Sequence, residues 1–343
     1  MPIKHERGIL YSCLELSQTT NIPLEKINRF IEEKNFTRII KIDSIYYIDK
    51  NDLSLFFDEF FSYLHILPPY YEVPEDLRNN SSPWAMTLVN MYQEKFVYGT
   101  SLSPSQGRFL KDLVCNINPQ NILEIGCFIG ISTLWMASGL EQIGNTAIIH
   151  SVDLFYEIMP CFPYRWGYLK DPFEFVQKSA CSAQVAHRIK FYKMDSYEIG
   201  KDFREIINEP IDLLFIDGDH SIRGCMNDFA LLSPHVVPGG YVILHDIYPE
   251  HSGYKGPRYV IDHVIKNSPY FNLVEIKTYP HNFGMALVQK LEGKKKFFPG
   301  VDLRLDMIRV KAYLQNTSIW KKVKNTPIGN SLKKFLHNFI RWL

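Results

Sequence analysis

Asp217 and Asp246 each end a short apolar run, and His220 follows Asp217 by three residues. Two carboxylates brought to one rim repel each other, and a cation or a shared proton between them relieves the repulsion. Hard divalent ions such as Mg²⁺ take a few carboxylates together with water and substrate oxygens. A histidine titrates near neutrality and can take the proton of an attacking alcohol. Farther upstream, the stretch Leu123-Glu124-Ile125-Gly126-Cys127-Phe128-Ile129-Gly130-Ile131-Ser132 joins an apolar run to a helical pattern. Gly126 allows a tight turn, Gly130 lets backbone come close to a ligand, and Ser132 opens the following helix. The pattern is not GxGxxG, because Phe128 occupies the middle position. A dinucleotide pyrophosphate needs several free N–H groups at a helix start, whereas a nucleoside without phosphates needs only close approach. Asp153, which ends the next apolar run, can accept hydrogen bonds from two ribose hydroxyls. Asp195 and Ser196, after the third run, are placed to meet an adenine edge.

These residues are useful only if a scaffold brings them to one edge. Short apolar runs lie at Ile122–Gly126, Ala147–Asp153, Ile189–Met194, Ile211–Asp217 and Tyr241–Asp246. Stretches of helical period, such as Phe173–His187 and Ile222–Leu232, alternate with them. Strands alternating with helices imply βαβ units and a parallel sheet. In such sheets, ligands sit at the carboxyl ends of the strands. Two more runs, Leu273–Lys277 and Met285–Gln289, flank a turn region at Pro280–Gly284 and read as an antiparallel hairpin closing the sheet.

The order Glu124, Gly126, Gly130, Ser132, then Asp153, then Asp195–Ser196, resembles class I S-adenosylmethionine-dependent methyltransferases. The aromatic residue in mid-loop resembles their catechol and caffeoyl-CoA O-methyltransferase branch, as does Thr100–Leu110 upstream. Phe215-Ile216-Asp217-Gly218-Asp219-His220-Ser221 and Pro238–Asp246 resemble the related sugar and natural-product O-methyltransferases. The resemblance spans residues 98–290. It implies a Rossmann-like α/β fold with a mostly parallel seven-stranded sheet and a terminal antiparallel hairpin. It implies S-adenosylmethionine contacts from Glu124, Gly126, Phe128, Gly130, Ser132, Asp153, Asp195, Ser196 and Asp217. It implies a divalent metal, Mg²⁺ or Mn²⁺, on Asp217, His245 and Asp246, and a general base at His220. The sugar methyltransferases have Glu–Asp where this chain has His245–Asp246, and imidazole suits Mn²⁺, Fe²⁺ or Zn²⁺ better than Mg²⁺. Aromatic loops after the second and fifth strands offer Tyr164, Trp166, Tyr248 and Tyr254 as substrate walls, and the resemblance implies that the substrate hydroxyl belongs to a sugar, glycan or natural product.

The formal net charge of the 343 residues is +1, yet it is unevenly distributed. Residues 1–292 carry 26 Lys and Arg against 35 Asp and Glu, and residues 293–343 carry 12 against 2. The acidic body is not a general polyanion binder. The six cysteines include no CxxC pair, which argues against a zinc knuckle or a redox motif. The N-terminus has no apolar leader, and no run approaches a membrane span, so a cytoplasmic enzyme is expected. Leu332, Phe335, Leu336, Phe339, Ile340 and Leu343 recur at helical spacing among Lys333, Lys334 and Arg341. Such a basic amphipathic helix can rest on a membrane surface or dock a partner protein.

The expected segments are 1–66, a small module; 67–104, a linker and lid; 105–291, the methyltransferase domain; and 292–343, the basic tail. Residues 9–60 resemble an excisionase-like winged helix, with helix, turn and helix, a hairpin over Phe36–Ile48, and a closing helix Asp52–Phe61. The net charge of −2 over residues 1–66 argues against DNA binding and for protein contact, in keeping with a homo-oligomer. Two other readings use the same residues: a DNA-binding regulator with a cofactor-sensing domain, and an oxidative tailoring enzyme on the same fold.

Overall fold

The structure is a computed structural model. It describes residues 3–5, 8–34, 36–65, 69–162, 165–277 and 283–291, with Thr326, Asn330 and Ser331. Tyr164 and the helix expected over residues 332–343 lie outside the described residues. The chain divides into two compact units. One comprises residues up to Gly107 with Phe128–Leu134 and Phe155–Gln184, and the other comprises Arg108–Cys127, Trp135–Leu154 and the residues from Val185 onward.

In the first unit, strands β1 (Ile3–His5), β2 (Gly8–Ser12), β3 (Ile39–Ile42) and β4 (Ile45–Asp49) form a sheet in the order β1-β2-β4-β3. The helix Cys13–Thr20 starts with a capping box. Ser12 Oγ accepts from Glu15 N at 3.2 Å, and Glu15 Oε2 accepts from Ser12 N at 3.0 Å. Asn21, in left-handed conformation, ends it. The next helix, Leu24–Lys34, buries Ile27, Phe30 and Ile31, the i, i+3, i+4 stripe of an amphipathic helix. Asp43 and Ser44 both have positive φ, the requirement of a two-residue hairpin turn between β3 and β4. The helix Leu53–Tyr63 closes the module and buries Phe56, Phe57, Phe60 and Phe61. Phe30 meets Phe60 edge-on at 5.4 Å, and Phe36 meets Phe56 at 5.5 Å. Each buried phenyl ring contributes roughly 1.5–3 kcal/mol, and each such pair about 1 kcal/mol more. Helix, turn, helix, hairpin and closing helix follow in the order read from the sequence; β1 and β2 were not expected.

The described residues of 155–162 and 165–170 join this same core. Met159 and Trp166 pack with the module's phenylalanines. Phe162 N donates to Thr20 O at 2.8 Å, and Asn21 Nδ2 donates to Phe162 O at 3.1 Å. Glu157 accepts from the hydroxyls of Tyr11 and Tyr168 and pairs with Lys50 at 2.7 Å. Between the module and Gly107, Pro83–Met91 is helical, and Tyr71, Tyr92, Phe96 and Val97 are buried.

The second unit is built on a seven-stranded sheet in the order β10-β11-β9-β8-β5-β6-β7. Its strands are β5 (Asn121–Ile125), β6 (Ile148–Asp153), β7 (Ile189–Lys193), β8 (Ile211–Ile216), β9 (Val236–His245), β10 (Phe271–Ile276) and β11 (Met285–Lys290). β5 through β9 pair in parallel, and β11 pairs antiparallel with both β9 and β10. This is the Rossmann-like α/β arrangement with a terminal hairpin that the sequence implied. All five residues of β5 are buried, as expected of a strand covered on both faces.

Two boundaries differ from the sequence reading. β9 starts at Val236, not Tyr241, because Pro238–Gly240 stay in the strand as an irregularity opposite Ile211–Leu213 and do not form a turn. The helix expected over Phe173–His187 runs Pro172–Ser182, and Gln184 with φ 57 separates it from a 3₁₀ turn at Ala186–Arg188. Among the described residues, no helix is long and apolar enough to cross a membrane.

Candidate active site

The five parallel strands bring their carboxyl ends to one edge of the sheet. β5 ends in the turn opened by Gly126, whose N–H donates to Val152 O at 2.9 Å. Gly126 has φ 90, and a Cβ there would lie 2.1 Å from the backbone oxygen of Asp217. Only glycine permits this approach of the β5 turn to the β8 end. Phe128 (φ 53) and Gly130 (φ 85) are also left-handed, so the turn is tightly coiled before the helix Ile131–Gln142. Ser132 is buried at the start of that helix. Glu124, inside β5, is fully buried and accepts from Ser151 Oγ on β6 at 2.5 Å.

Asp153 ends β6, and its carbonyl accepts from Met194 N at 3.1 Å, which carries the ladder past the end of β7. Asp195 then caps the helix Ser196–Lys201, its carboxylate accepting from Tyr197 N at 2.7 Å. Ser196 is half-buried, and its hydroxyl donates to Asp228 at 2.6 Å.

Neighbouring β8 and β9 supply the titratable cluster. Asp217 follows β8, and His245 and Asp246 end β9. A rigid turn carries His220 back to them. Asp219 accepts from Ser221 N and Oγ, both at 2.9 Å, and Ser221 Oγ caps the helix Ile222–Leu232 by accepting from Gly224 N at 3.0 Å. Gly224 is required there, since a Cβ would lie 2.3 Å from the Asp219 carboxyl. His220 Nε2 lies 3.0 Å from Asp217 Oδ1 and 3.3 Å from Asp246 Oδ2. His245 Nδ1 lies 3.0 Å from the same Asp217 oxygen. The ring of Tyr254 stacks on His220 at 5.3 Å and 26°.

Burial works against charge on all these groups, yet mutual attraction wins. Burial pushes Asp217 up, but the His245 charge and the hydrogen bonds from both imidazoles hold it well below the carboxylate range. Burial pushes His245 down, and Asp217 and Asp246 more than reverse this, leaving it well above 6.5. Burial pushes His220 down too, but its hydrogen bond to Asp217 together with the charges of Asp217 and Asp246 raises it. Partly buried Asp217 and buried Asp246 thus raise the proton affinity of both imidazoles, which marks a site that attracts positive charge.

The donor set fits a divalent ion. One ligand atom from each of Asp217, His220, His245 and Asp246 can be chosen so that all lie within 4.8 Å of one another. Asp246 Oδ1 is buried without a hydrogen bond, although His245 Nδ1 is 2.9 Å away, because that N–H is directed to Asp217. Asp246 also holds φ 58, a strained conformation for a non-glycine residue of the kind that clusters at functional sites. Two imidazoles with two carboxylates suit Mn²⁺, Fe²⁺ or Zn²⁺. The sequence reading counted three of these ligands and set His220 apart as a base; its place within 4.8 Å of the others was not legible from spacing.

Of the aromatic residues read as substrate walls, Tyr254 stands beside His220 and is half exposed. Tyr248 packs at the sheet edge, where a Cβ on Gly284 would lie 2.2 Å from its ring, with the Arg258 guanidinium 5.4 Å over that ring. Trp166 is buried in the core of the first unit against Phe61 and Phe162.

Residues 123–247, which span the glycine turn and the acid–histidine cluster, match the family model described as a methyltransferase domain. This segment is a methyltransferase domain. A catechol O-methyltransferase of Niastella koreensis is 26% identical over 144 residues, 42% of this chain and 58% of that protein. The chain therefore spans less than two thirds of the length of that relative. An O-methyltransferase from Bacillus cereus, solved in complex with SAH, is similar in structure at 20% identity with a TM-score of 0.49, covering 62% of this chain and 91% of that one. The O-methyltransferase TomG from Streptomyces achromogenes, solved in complex with SAM, gives 17% identity and a TM-score of 0.47, covering 71% and 100%. Within this methyltransferase domain, the matched residues include the ends of β5, β6, β7, β8 and β9.

Proposed function

We propose that the chain is an S-adenosylmethionine-dependent O-methyltransferase acting on a hydroxyl of a sugar, glycan or natural product. The observation that carries this reading is the cluster of Asp217, His220, His245 and Asp246 at the ends of β8 and β9, beside the glycine turn of β5. A nucleoside held at Gly126, Asp153 and Ser196 needs no phosphate cradle, and the glycine turn, with Phe128 in its middle position, lacks the GxGxxG pattern of a pyrophosphate site. Tyr254, with its ring against His220, suits the apolar face of a sugar or a planar ring.

Methyl transfer is an in-line displacement. The acceptor oxygen bonds to the methyl carbon, the carbon–sulfur bond breaks, and its electron pair stays on sulfur. The alcohol proton must leave as the oxygen attacks. With Nε2–H donating to Asp217, the second nitrogen of His220, Nδ1, carries the lone pair that takes this proton. Asp217 and Asp246 then stabilise the imidazolium. Asp217, His245 and Asp246 would hold a divalent ion, which when bound would supply Lewis acidity toward the acceptor hydroxyl.

Incubation with methyl-labelled S-adenosylmethionine and a panel of glycans and phenols, read by mass spectrometry, tests the reading. A labelled O-methyl product is expected. Cofactor binding without methyl transfer to any oxygen acceptor, with an iron-dependent oxidised product in its place, overturns it.

A further inference from the structure

Asp228 is a buried carboxylate that the methyl-transfer chemistry does not use. It lies in mid-helix within Ile222–Leu232, 3% exposed, among Cys225, Met226, Phe229 and Leu232. No lysine or arginine pairs with it among the described residues. A buried acid without a counter-cation is costly, and an apolar residue would serve that helix better. Burial, with Asp219 and Asp195 adding to it, raises the Asp228 carboxyl to about 7, against the lowering effect of its side-chain hydrogen-bond partner among the described residues and of His220. That partner is Ser196, whose hydroxyl donates to Oδ1 at 2.6 Å. On the other side, a Cβ on Gly218 would lie 3.4 Å from Oδ2, so the carboxyl reaches under the turn that carries Asp217.

A serine hydroxyl has one proton and two lone pairs. Here the proton is spent inward on Asp228. Ser196 itself is only half-buried, at the carboxyl end of β7 on the ligand edge of the sheet. What it can present outward is therefore lone pairs alone. We infer that Asp228 is a positioning residue that fixes Ser196 as a hydrogen-bond acceptor, so that the nucleoside site selects a base bearing an exocyclic amine over one bearing a carbonyl at that position. This rests on the cofactor assignment above, and it deepens that assignment by setting the polarity of one contact. Without Asp228 the hydroxyl can turn and donate, and a carbonyl becomes an equal partner.

The test compares S-adenosylhomocysteine with its deaminated analogue S-inosylhomocysteine by calorimetry. The native chain should prefer the adenosyl compound by about tenfold or more, as expected for a site whose buried polar group is left unpaired by the wrong ligand. Asp228→Ala should bring the two within about threefold of each other, and Ser196→Ala should do the same. The double variant should go no further than Ser196→Ala alone, because the two act through one hydroxyl. A residue that merely fills space would change the thermal midpoint and leave the affinity ratio intact, so a preserved ratio in folded Asp228→Ala overturns the inference. Should Asp228→Ala fail to fold, Ser196→Ala removes only a half-buried hydroxyl, and a preserved ratio there overturns it equally. Failure of the native chain to bind S-adenosylhomocysteine at all overturns the cofactor assignment together with this inference.

Discussion

Asp217 and His245 end adjacent parallel strands, and one oxygen of Asp217 lies 3.0 Å from His245 Nδ1 and equally 3.0 Å from His220 Nε2. A single carboxylate oxygen therefore organises both imidazoles. Any change at Asp217 should disturb proton uptake and cation binding together, whereas changes at the histidines should separate them.

His220→Gln tests the first half of that separation. It keeps a polar group near Asp217 but removes the titrating nitrogen. Turnover should fall by roughly 10²–10⁴, the usual contribution of a positioned base. Cofactor affinity by calorimetry should stay within about twofold. Undiminished turnover would remove His220 from the chemistry.

The pH dependence of stability tests the second half. The folded pKa values of His220 and His245 are raised above 6.5. A raised histidine contributes stability that is fully present below the unfolded value and is lost as pH rises through the folded value. The metal-free protein should therefore melt at a lower temperature at about pH 9 than at about pH 6. Added Mn²⁺ replaces those protons, so its stabilising effect should grow with pH. A melting temperature indifferent to Mn²⁺ at both pH values would leave the cluster a purely internal network.

Asp228 carries a linkage of its own. Its folded pKa of about 7 lies above the ordinary value of 3.8, so the folded state is penalised once the group ionises. Stability is present below 3.8 and is lost as pH rises toward 7. The full loss is on the order of 4 kcal/mol at 1.36 kcal/mol per unit. Asp228→Asn should therefore be more stable than the native chain in denaturant titrations at about pH 8, and should show little gain at about pH 4. A uniform loss at both would mean that the carboxylate is paired in the folded state.

Gly126→Ala should be severe. It adds a methyl group 2.1 Å from the Asp217 carbonyl and imposes φ 90 on an L-residue. A cost of about 3 kcal/mol or more is expected in urea unfolding, with cofactor affinity reduced in whatever remains folded. A change below about 1 kcal/mol would show that the β5 turn can retreat from β8.

In the first unit, Glu157→Ala leaves the Tyr11 and Tyr168 hydroxyls and the Lys50 ammonium without their shared acceptor. Roughly 1–3 kcal/mol should be lost, with faster amide exchange in β2 and in residues 158–162 and 165–169. Unchanged exchange in either segment would mean that they are joined through Met159 and Trp166 alone.

The parallel sheet was legible because its strands are β-branched and bounded by breakers, and because chemistry-bearing residues sit where each strand stops. The positions of Asp153, Ser196, Asp217 and Asp246 follow from that regularity. What could not be read depends on contacts distant in sequence. Trp166 looked like a substrate wall, yet its loop belongs to a phenylalanine core assembled from residues 13–61. Asp228 sat unremarked in an amphipathic stretch, because nothing local shows that it faces a serine 32 positions earlier. Pro238–Gly239–Gly240 has turn composition, yet it stays within β9 at the register shift opposite β8, where Gly239 O also accepts from Gln289.

The strand order has a consequence for how the chain must be made. β10 pairs with β11, and it is β11 that pairs with β9. On a growing chain, Phe271–Ile276 therefore emerges before the strand it pairs with, and the edge of β9 stays open until Met285–Lys290 has been synthesised. Lys290 then fastens the far end by donating to the carbonyls of Ser233, Pro234 and Val236. Every strand that carries a site residue is translated before the one that seals the sheet, so a nascent chain halted short of residue 290 holds the whole acid–histidine cluster on a sheet with an unguarded, aggregation-prone border.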